Sequence, residues 1–394
     1  GPYLGVSQSP IGYIKPNITF TDELKINIAG VDIELYHAPG ETNDQLFVWL
    51  PKHRALMPGD NIYRTFPNLY TIRGTPHRDV KSWVKSLDHM RSLKPDYLLP
   101  SHTKPLEGEE VLETLTIYRD AIQFVHDQTI RLMNKGHSPD EISHMIQLPP
   151  EVSSSPFVRE FYGTVRWSVK SIFNGYLGWF DGNVSNLDPL PSEDYARRLA
   201  ILSGGEEKLF EALQKAVERE DMQWALQLSD SLLALNYKID STKKLRQEAI
   251  QYIGDRALNP NKRNYFLSSA NELNANYQAE PLLPQTSELL SEISIDMFFD
   301  ILSVRLNPEK AKGIKQRVCF EFDSGNIKTI TLRNQIAEVS SEKKNCDILV
   351  KTSEQILKEA LAGVRNPIMT VASGDIDTGG QRTNFLNFLS KFAE

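Results

Sequence analysis

Short apolar runs alternate with one amphipathic stretch over the first third of the chain. Apolar or alternating runs bounded by turn residues predict strands at residues 31–36, 46–50, 54–57 and 96–99. Between the last two strands, residues 79–93 carry their apolar side chains on one face, as an amphipathic helix does. Strands interleaved with a helix predict an α/β layered fold for this part of the chain.

From about residue 112 to residue 273 the apolar spacing becomes that of helices. We predict helices at residues 111–135, 139–147 and 192–202, followed by a tandem series from residue 206 onward. In this series, two apolar stripes flank a polar turn at residues 218–221, a pattern that resembles tetratricopeptide hairpins. Such paired helices pack together or bind partners, so we predict an all-helical subdomain in the middle of the chain.

Pro281 and Pro284 separate this helical stretch from a third unit, because proline stops a helix and stiffens a linker. In the third unit, Asp323-Ser324-Gly325-Asn326 is a hairpin sequence between predicted strands at residues 318–322 and 327–332. The other predicted elements are a strand at residues 348–351 and helices at residues 287–306, 353–361 and 382–392. This order of elements predicts an α+β domain.

Composition excludes several classes of protein. The 394 residues carry a formal net charge of -7 and show no Lys and Arg cluster, which argues against a nucleic-acid surface. No run of about 18 apolar residues is present, so no membrane span is predicted. Cys319 and Cys346 are too few for a disulfide framework. The chain begins with Gly1 and carries sequons at Asn17 and Asn183, which is compatible with secretion and leaves the compartment open.

Three turns at the ends of predicted strands contain residue types that suit metal chemistry. They read His37-Ala38-Pro39-Gly40-Glu41-Thr42, Pro58-Gly59-Asp60-Asn61 and Leu99-Pro100-Ser101-His102-Thr103-Lys104-Pro105. Strand ends on a rigid sheet hold imidazole and carboxylate ligands in place, and glycines let the backbone turn tightly beneath an ion.

Together the turns resemble the later metal-binding turns of the metallo-β-lactamase fold, in the same order and at comparable spacings. Carried over by position, Asp60 is the carboxylate that bridges two metals, and His102 is an imidazole ligand of the second. Glu41 stands where most of that superfamily has histidine, and this substitution resembles the alkyl sulfatase branch. A carboxylate oxygen is an acceptable zinc ligand.

The similarity to alkyl sulfatases extends beyond the turns. Residues 72–79 resemble that family's arginine-glycine segment, and residues 126–132 and 176–183 resemble its helical dimerisation domain. The resemblance implies a multidomain α/β, α and α+β fold in three parts. These are the C-terminal portion of a metallo-β-lactamase αββα sandwich at residues 1–125, an all-helical dimerisation domain at residues 126–280, and an α+β domain similar to sterol carrier protein 2 at residues 285–394.

The implied activity is zinc-dependent hydrolysis of alkyl sulfate esters by a homodimer, with the C-terminal domain binding the alkyl chain. Two zinc ions per protomer would ionise a water molecule near neutral pH, and a fixed guanidinium would hold the sulfate. By position, Asp60 and Arg73 are the implied catalytic residues, with Arg73 on the sulfate. His77 and Arg78 are further sulfate-binding candidates.

The first metal-binding motif of the fold, histidine-any-histidine-any-aspartate-histidine, is absent, since no two of the eight histidines lie two residues apart. Glu41, Asp60 and His102 are too few for two zinc sites with about four ligands each. One interpretation is that an upstream fragment of the same protein supplies the missing ligands. The other is a catalytically inactive, sulfatase-like dimer that binds a hydrophobic ligand or has a structural role.

Overall fold

The computed structural model describes residue 14 and residues 16–274, 276–277 and 286–392. These residues form two compact units, one within residues 16–279 and one within residues 280–394. The predicted break at Pro281 and Pro284 lies outside the described residues. No helix in the described part of the chain is long and apolar enough to cross a membrane.

The first unit contains a six-stranded sheet in which neighbouring strands follow chain order. The strands are β1 (Glu23–Ile28), β2 (Val31–His37), β3 (Leu46–Leu50), β4 (Ala55–Met57), β5 (Tyr97–Leu98) and β6 (Leu106–Glu107). All neighbours pair antiparallel except β4 and β5, which are parallel. The predicted strands are confirmed as β2 to β5, whereas β1, an alternating strand without a buried residue, was not predicted.

Helix α1 (Val80–Ser92) makes the crossover between the two parallel strands and packs on the sheet, where His89 lies against Tyr36 and Phe47. It was predicted from its apolar face, and Trp83, Leu87 and Met90 are fully buried. Asp79 caps its N-terminus by accepting hydrogen bonds from Lys81 N (3.0 Å) and Ser82 N (3.3 Å). The crossover places the turns after β2, β4 and β5 in one region of the unit.

Asn61 connects two of these turns by hydrogen bonds. Its side chain is fully buried, with Nδ2 donating to Ala38 O (2.7 Å) and Oδ1 accepting from Glu41 N (3.1 Å). Trp83 Nε1 donates to Asn61 O (3.1 Å), which anchors the same residue to α1. One amide therefore fixes the turn that carries Glu41 relative to the turn that carries Asp60.

The rest of the first unit is helical, as the apolar spacing predicted. Its helices are α2 (Glu109–Met133), α3 (Pro139–Met145), α4 (Pro150–Ser153), α5 (Val165–Leu177), α6 (Ser192–Ser203), α7 (Glu206–Glu218), α8 (Met222–Ala234), α9 (Ile239–Arg256) and α10 (Pro260–Glu272). One hydrophobic core joins the sheet to α1, α2 and α5, and another lies among α6 to α9.

The second unit packs helices on a four-stranded sheet of order β10-β7-β8-β9. Its elements are α11 (Ser287–Glu292), α12 (Ile295–Val304), β7 (Gln316–Phe322), β8 (Ile327–Arg333), β9 (Ile336–Ser340), β10 (Ile348–Thr352), α13 (Glu354–Leu361), α14 (Pro367–Ser373) and α15 (Arg382–Leu389). The single helix predicted at residues 287–306 is wrong, because Ser294 starts a new helix by accepting a hydrogen bond from Met297 N (3.2 Å). Cys319 and Cys346 form one disulfide within this unit.

Glu359 of α13 is a buried hydrogen-bond acceptor in the second unit. Its side chain is 6% exposed and accepts hydrogen bonds from Ser287 Oγ, Arg365 Nε and Gln355 Nε2. These donors hold the pKa of Glu359 down to about 2. The carboxylate thus links α11 to α13 and to the loop that follows.

We predict that Asn61→Ala lowers the free energy of unfolding by about 2–4 kcal/mol, because Glu41 N–H and Ala38 C=O both lose their partner in a buried place. Urea unfolding followed by circular dichroism measures the change. Asn264→Ala, at an exposed position of α10, is the matched control and should change stability little. An equal loss of unfolding free energy in both variants would contradict the role of Asn61 in connecting the two turns.

We predict that Glu359→Gln lowers stability by on the order of 2 kcal/mol at pH 7 and by much less near pH 2. The depressed pKa means that the carboxylate stabilises the fold fully above its ordinary pKa of 4.5, and that this stabilisation is lost as pH falls towards 2. Unfolding in urea at several pH values measures the difference from wild type. Glu292→Gln, an exposed glutamate of α11, is the control. A loss of stability in Glu359→Gln that does not change with pH would contradict the low pKa of Glu359.

Candidate metal site

The three candidate metal ligands line one cavity of the first unit. Glu41, Asp60 and His102 share a cavity of about 360 Å³, although they are far apart in the sequence. The other lining residues are Tyr63, Arg64, Thr65 and Tyr162. The fold therefore brings together donors from the turns that follow β2, β4 and β5.

Glycine precedes both carboxylates, and each glycine is needed by the local backbone. A Cβ atom on Gly40 would overlap Asn61 Oδ1, so the turn before Glu41 can approach Asn61 only with glycine. Gly59 adopts a φ of +57°, in the left-handed region, and opens the short 3₁₀ turn that presents Asp60. These glycines explain why the two turns can close on one cavity.

Asp60 and His102 lie side by side in the lining of the cavity. Asp60 Oδ1 lies 3.3 Å from His102 Nε2, but this oxygen is buried and accepts no hydrogen bond from the described residues. A buried carboxylate oxygen without a donor is costly unless a cation or a hydrogen bond compensates it. An imidazole nitrogen and a carboxylate oxygen placed side by side are a donor set that zinc accepts.

Glu41 has a partner of its own. Arg78 Nη1 lies 3.1 Å from Glu41 Oε1, and the two side chains are only 7% and 10% exposed, respectively. The same Arg78 nitrogen also donates to Asn68 O. Burial raises the pKa of Glu41 above its ordinary value, and the neighbouring Arg78 opposes this rise. Arg78 therefore forms a salt bridge with the carboxylate of Glu41, whereas the sequence had indicated Arg78 as a sulfate-binding residue.

The other two sulfate candidates lie in the exposed loop before α1. Arg73 and His77 are both exposed, and neither is among the described residues that line the cavity. The His77 ring rests against Gly175 at the end of α5, where a Cβ atom would overlap it. The structure therefore brings Glu41, Asp60 and His102 together and leaves Arg73 and His77 on an adjoining loop.

Sequence reasoning missed several residues of the cavity. Arg64 lines it four residues after Asp60, and Tyr63 lies against Tyr162 with 5.5 Å between ring centroids. Burial raises the pKa of Tyr63 well above its ordinary value. Outside the cavity lining, Asn68 is also buried, and its side-chain oxygen and nitrogen both lack a partner among the described residues. None of these belongs to a motif, so only their position in the fold identifies them.

The donors in this cavity do not form a complete metal site among the described residues. Among the described residues, no group of three or more His, Cys, Asp or Glu side chains could hold a metal ion. Asp60 and His102 fit a metal by their chemistry and by the unpartnered Oδ1 atom, whereas Glu41 is paired with Arg78. Further ligands would have to come from elsewhere.

Three families of known proteins match successive parts of the chain. Residues 2–102 match the metallo-beta-lactamase superfamily, residues 138–276 match the alkyl sulfatase dimerisation family, and residues 284–394 match the alkyl sulfatase C-terminal family. These matches confirm the expected combination of a metallo-β-lactamase portion, a helical dimerisation domain and a C-terminal α/β domain.

Individual relatives agree with these families. The chain is 34% identical over 89% of its length to a linear primary-alkylsulfatase of Pseudomonas sp. (strain ATCC 19151), and 28% identical over 98% of its length to an alkyl/aryl-sulfatase of Saccharomyces cerevisiae. A solved structure of a stereoselective inverting sec-alkylsulfatase from Pseudomonas sp. superimposes with a TM-score of 0.82, at 26% identity over 95% of this chain.

The chain spans only part of each relative. It covers 71% of the Pseudomonas primary-alkylsulfatase, 61% of the yeast protein and 61% of the solved structure. The fold, the three family matches and the identity over most of the chain show that it belongs to the alkylsulfatase family of the metallo-β-lactamase superfamily.

Proposed function

We propose that this chain is part of a zinc-dependent hydrolase of alkyl sulfate esters. The observation that carries the proposal is the pairing of Asp60 Oδ1, which accepts no hydrogen bond among the described residues, with His102 Nε2 at 3.3 Å in one cavity. The relatives named for alkylsulfatase activity support the choice of substrate. Sulfate esters are anionic, so a cavity that acts on them must supply positive charge.

Two zinc ions per protomer are the proposed cofactor. Asp60 and His102 would hold metal, and Glu41 would join them if Arg78 keeps its carboxylate ionised and in place. Bound zinc would supply a nucleophile from water near neutral pH and neutralise negative charge on the ester. Because each zinc takes about four ligands, the remaining donors are proposed to come from an upstream fragment of the same protein.

Arg73 is the proposed sulfate-binding residue, with His77 beside it on the same loop. A guanidinium binds a sulfate group with two parallel hydrogen bonds, which fixes its orientation as well as its charge. Arg64 is the rival candidate, because it already lines the cavity that contains Glu41, Asp60 and His102. Arg78 is assigned a positioning role instead, since its guanidinium is buried against Glu41.

The alkyl chain is proposed to bind in the second unit. A mostly apolar cavity of about 300 Å³ lies there, and Arg305 is the one charged residue among the described residues that line it. Its other lining residues are Leu302, Ala360, Leu361, Pro367, Ile368, Leu386, Leu389, Ser390 and Phe392. Apolar walls with one cation suit an amphiphile that has an anionic head group. The domain similar to sterol carrier protein 2 is part of the same proposal.

The protein is further proposed to act as a homodimer through its helical domain. The match of residues 138–276 to the alkyl sulfatase dimerisation family supports this assembly. The alternative function, a catalytically inactive dimer that binds a hydrophobic ligand, keeps the same assembly and the second-unit cavity. The inactive dimer would contain no metal, so a measurement of metal content distinguishes it from the hydrolase.

We predict that His102→Ala in the native protein lowers zinc content by about one ion per protomer and abolishes hydrolysis of decyl sulfate. Elemental analysis and sulfate release measure the two effects. His53→Ala, at an exposed position outside the cavity, is the control and should change neither. Unchanged zinc content in the His102 variant would remove this residue from the metal site.

We predict that Arg73→Ala lowers kcat/KM for decyl sulfate about 100-fold, because the sulfate loses a charged partner in the transition state. Arg64→Ala, made in parallel, should lower it less. Arg73→Lys should recover only part of the loss, since lysine keeps the charge but not the bidentate geometry. A large effect in Arg64→Ala with none in Arg73→Ala would transfer the sulfate role to Arg64.

A further inference from the structure

Two sequons of the first unit have no part in the proposed hydrolase. An asparagine followed two residues later by serine or threonine, with no proline between them, is the acceptor sequence for N-linked oligosaccharide. The sequons are Asn17-Ile18-Thr19, before β1, and Asn183-Val184-Ser185, between α5 and α6. Such triplets also arise by chance, so the pattern alone does not decide whether either is modified. The surroundings of the two asparagine side chains differ, however.

Asn17 lies on an exposed stretch without regular structure. Residues 16–19 are all exposed, and they belong to no helix or strand. Within the described ranges, the Asn17 side chain has no hydrogen-bond partner. The chain joins the sheet only at Asp22, whose carbonyl accepts a hydrogen bond from His37 N (2.8 Å). The side-chain amide of Asn17 is therefore accessible to a modifying enzyme.

Asn183 is exposed as well, but its side chain is already engaged. Its Oδ1 atom accepts a hydrogen bond from Ser185 N (3.0 Å), and its own N–H donates to Asp181 Oδ1 (2.9 Å). These bonds hold the sequon at the start of a short 3₁₀ turn, Val184–Asn186. An enzyme would have to break them before it could bind the amide, whereas Asn17 has no such bond to lose.

The disulfide of the second unit is an independent sign of the environment in which N-linked oligosaccharide is added. Cys319 of β7 is fully buried and bonded to Cys346, which lies in the loop before β10. No cysteine in the described part of the chain is free. Disulfides form and persist in secreted proteins and in the lumen of the endoplasmic reticulum, and they are rare in the reducing cytosol. The disulfide and the sequon therefore indicate the same compartment.

We propose that Asn17 carries an N-linked oligosaccharide, added while the protein passes through an oxidising secretory compartment. The inference goes beyond the proposed hydrolase and does not depend on it. The donor is an oligosaccharide on a polyprenyl pyrophosphate. Asn17 Nδ2 forms a bond to the first carbon of the sugar, the bond from that carbon to the pyrophosphate oxygen breaks, and the amide proton passes to a base of the transferase. No oxidation or reduction is involved.

An oligosaccharide on Asn17 would lie near the edge of the sheet. Among the described strands, β1 pairs with β2 alone, and it leaves Ile28 58% exposed. An edge strand presents unpaired N–H and C=O groups with which another chain can pair. A bulky hydrophilic group shortly before β1 would hinder such pairing, so the modification would also help to keep the protein soluble.

Treatment of the native full-length protein with peptide-N-glycosidase tests the proposal. This enzyme releases N-linked oligosaccharide and converts the asparagine that carried it to aspartate, which peptide mass spectrometry locates. We expect the protein to migrate faster in electrophoresis after treatment, with the conversion at Asn17. We also expect Cys319 and Cys346 to be recovered as a linked pair of peptides when no reductant is added.

Variants of the sequon in the full-length protein, expressed in cells of its natural source, provide the controls. Thr19→Ala should lose the oligosaccharide completely. Thr19→Ser is the matched control and should keep it, because serine also completes the acceptor sequence. Asn183→Gln should keep it too. Hydrolysis of decyl sulfate should be unchanged in Thr19→Ala, since Thr19 is not among the described residues that line the metal-site cavity.

Three results would overturn the proposal. The first is the recovery of unmodified Asn17 from the native protein, or of oligosaccharide on Asn183 alone. The second is an oligosaccharide that persists in Thr19→Ala. The third is the reaction of both Cys319 and Cys346 with a thiol reagent before reduction, which would exclude the oxidising compartment.

Discussion

The candidate site depends on the hydrogen bonds of Asn61. Glu41 and Asp60 lie in different turns, and the described hydrogen bonds that join those turns pass through this fully buried side chain. Trp83 of α1 donates a hydrogen bond to Asn61 O, so both turns are also connected to the helix. A metal site requires donors held to within a fraction of an ångström, and a buried amide with both ends satisfied provides that constraint.

The two carboxylates of the cavity differ in how their charge is balanced. Glu41 has the buried guanidinium of Arg78, whereas Asp60 Oδ1 has no hydrogen-bond donor among the described residues. A buried pair such as Glu41 and Arg78 contributes little net stability but fixes geometry. The unbalanced oxygen is then the point at which a cation is needed, and His102 stands beside it. This asymmetry supports the proposal that a metal ion binds at Asp60 and His102.

Much of the fold was predictable because its elements have strong local signals. The apolar stripe of α1 and the hairpin residues before β8 predicted the bounds of both elements to within one residue. The misses differ in kind: β1 alternates polar and apolar residues but has no buried residue, and Ser294 interrupts a continuous apolar stripe by capping a new helix. Apolar spacing does not register a short break such as the one at Ser294, which depends on a single capping side chain.

The candidate site was predictable only where a turn carries a recognisable motif. Glu41, Asp60 and His102 came from such turns, and the structure places them around one cavity. Arg64 and Tyr162 have no motif and reach the cavity through tertiary packing, which sequence spacing does not encode. Arg78 was identified as a site residue, but its partner Glu41 is 37 residues away and could be known only from the fold.

The central claim is that Asp60 and His102 belong to a dinuclear zinc site completed from outside this chain. Elemental analysis of the native protein, combined with its intact mass, tests it most directly. We predict about two zinc ions per protomer together with an additional N-terminal piece. Protein that contains no metal and no such piece would contradict it and leave a catalytically inactive member of the alkylsulfatase family.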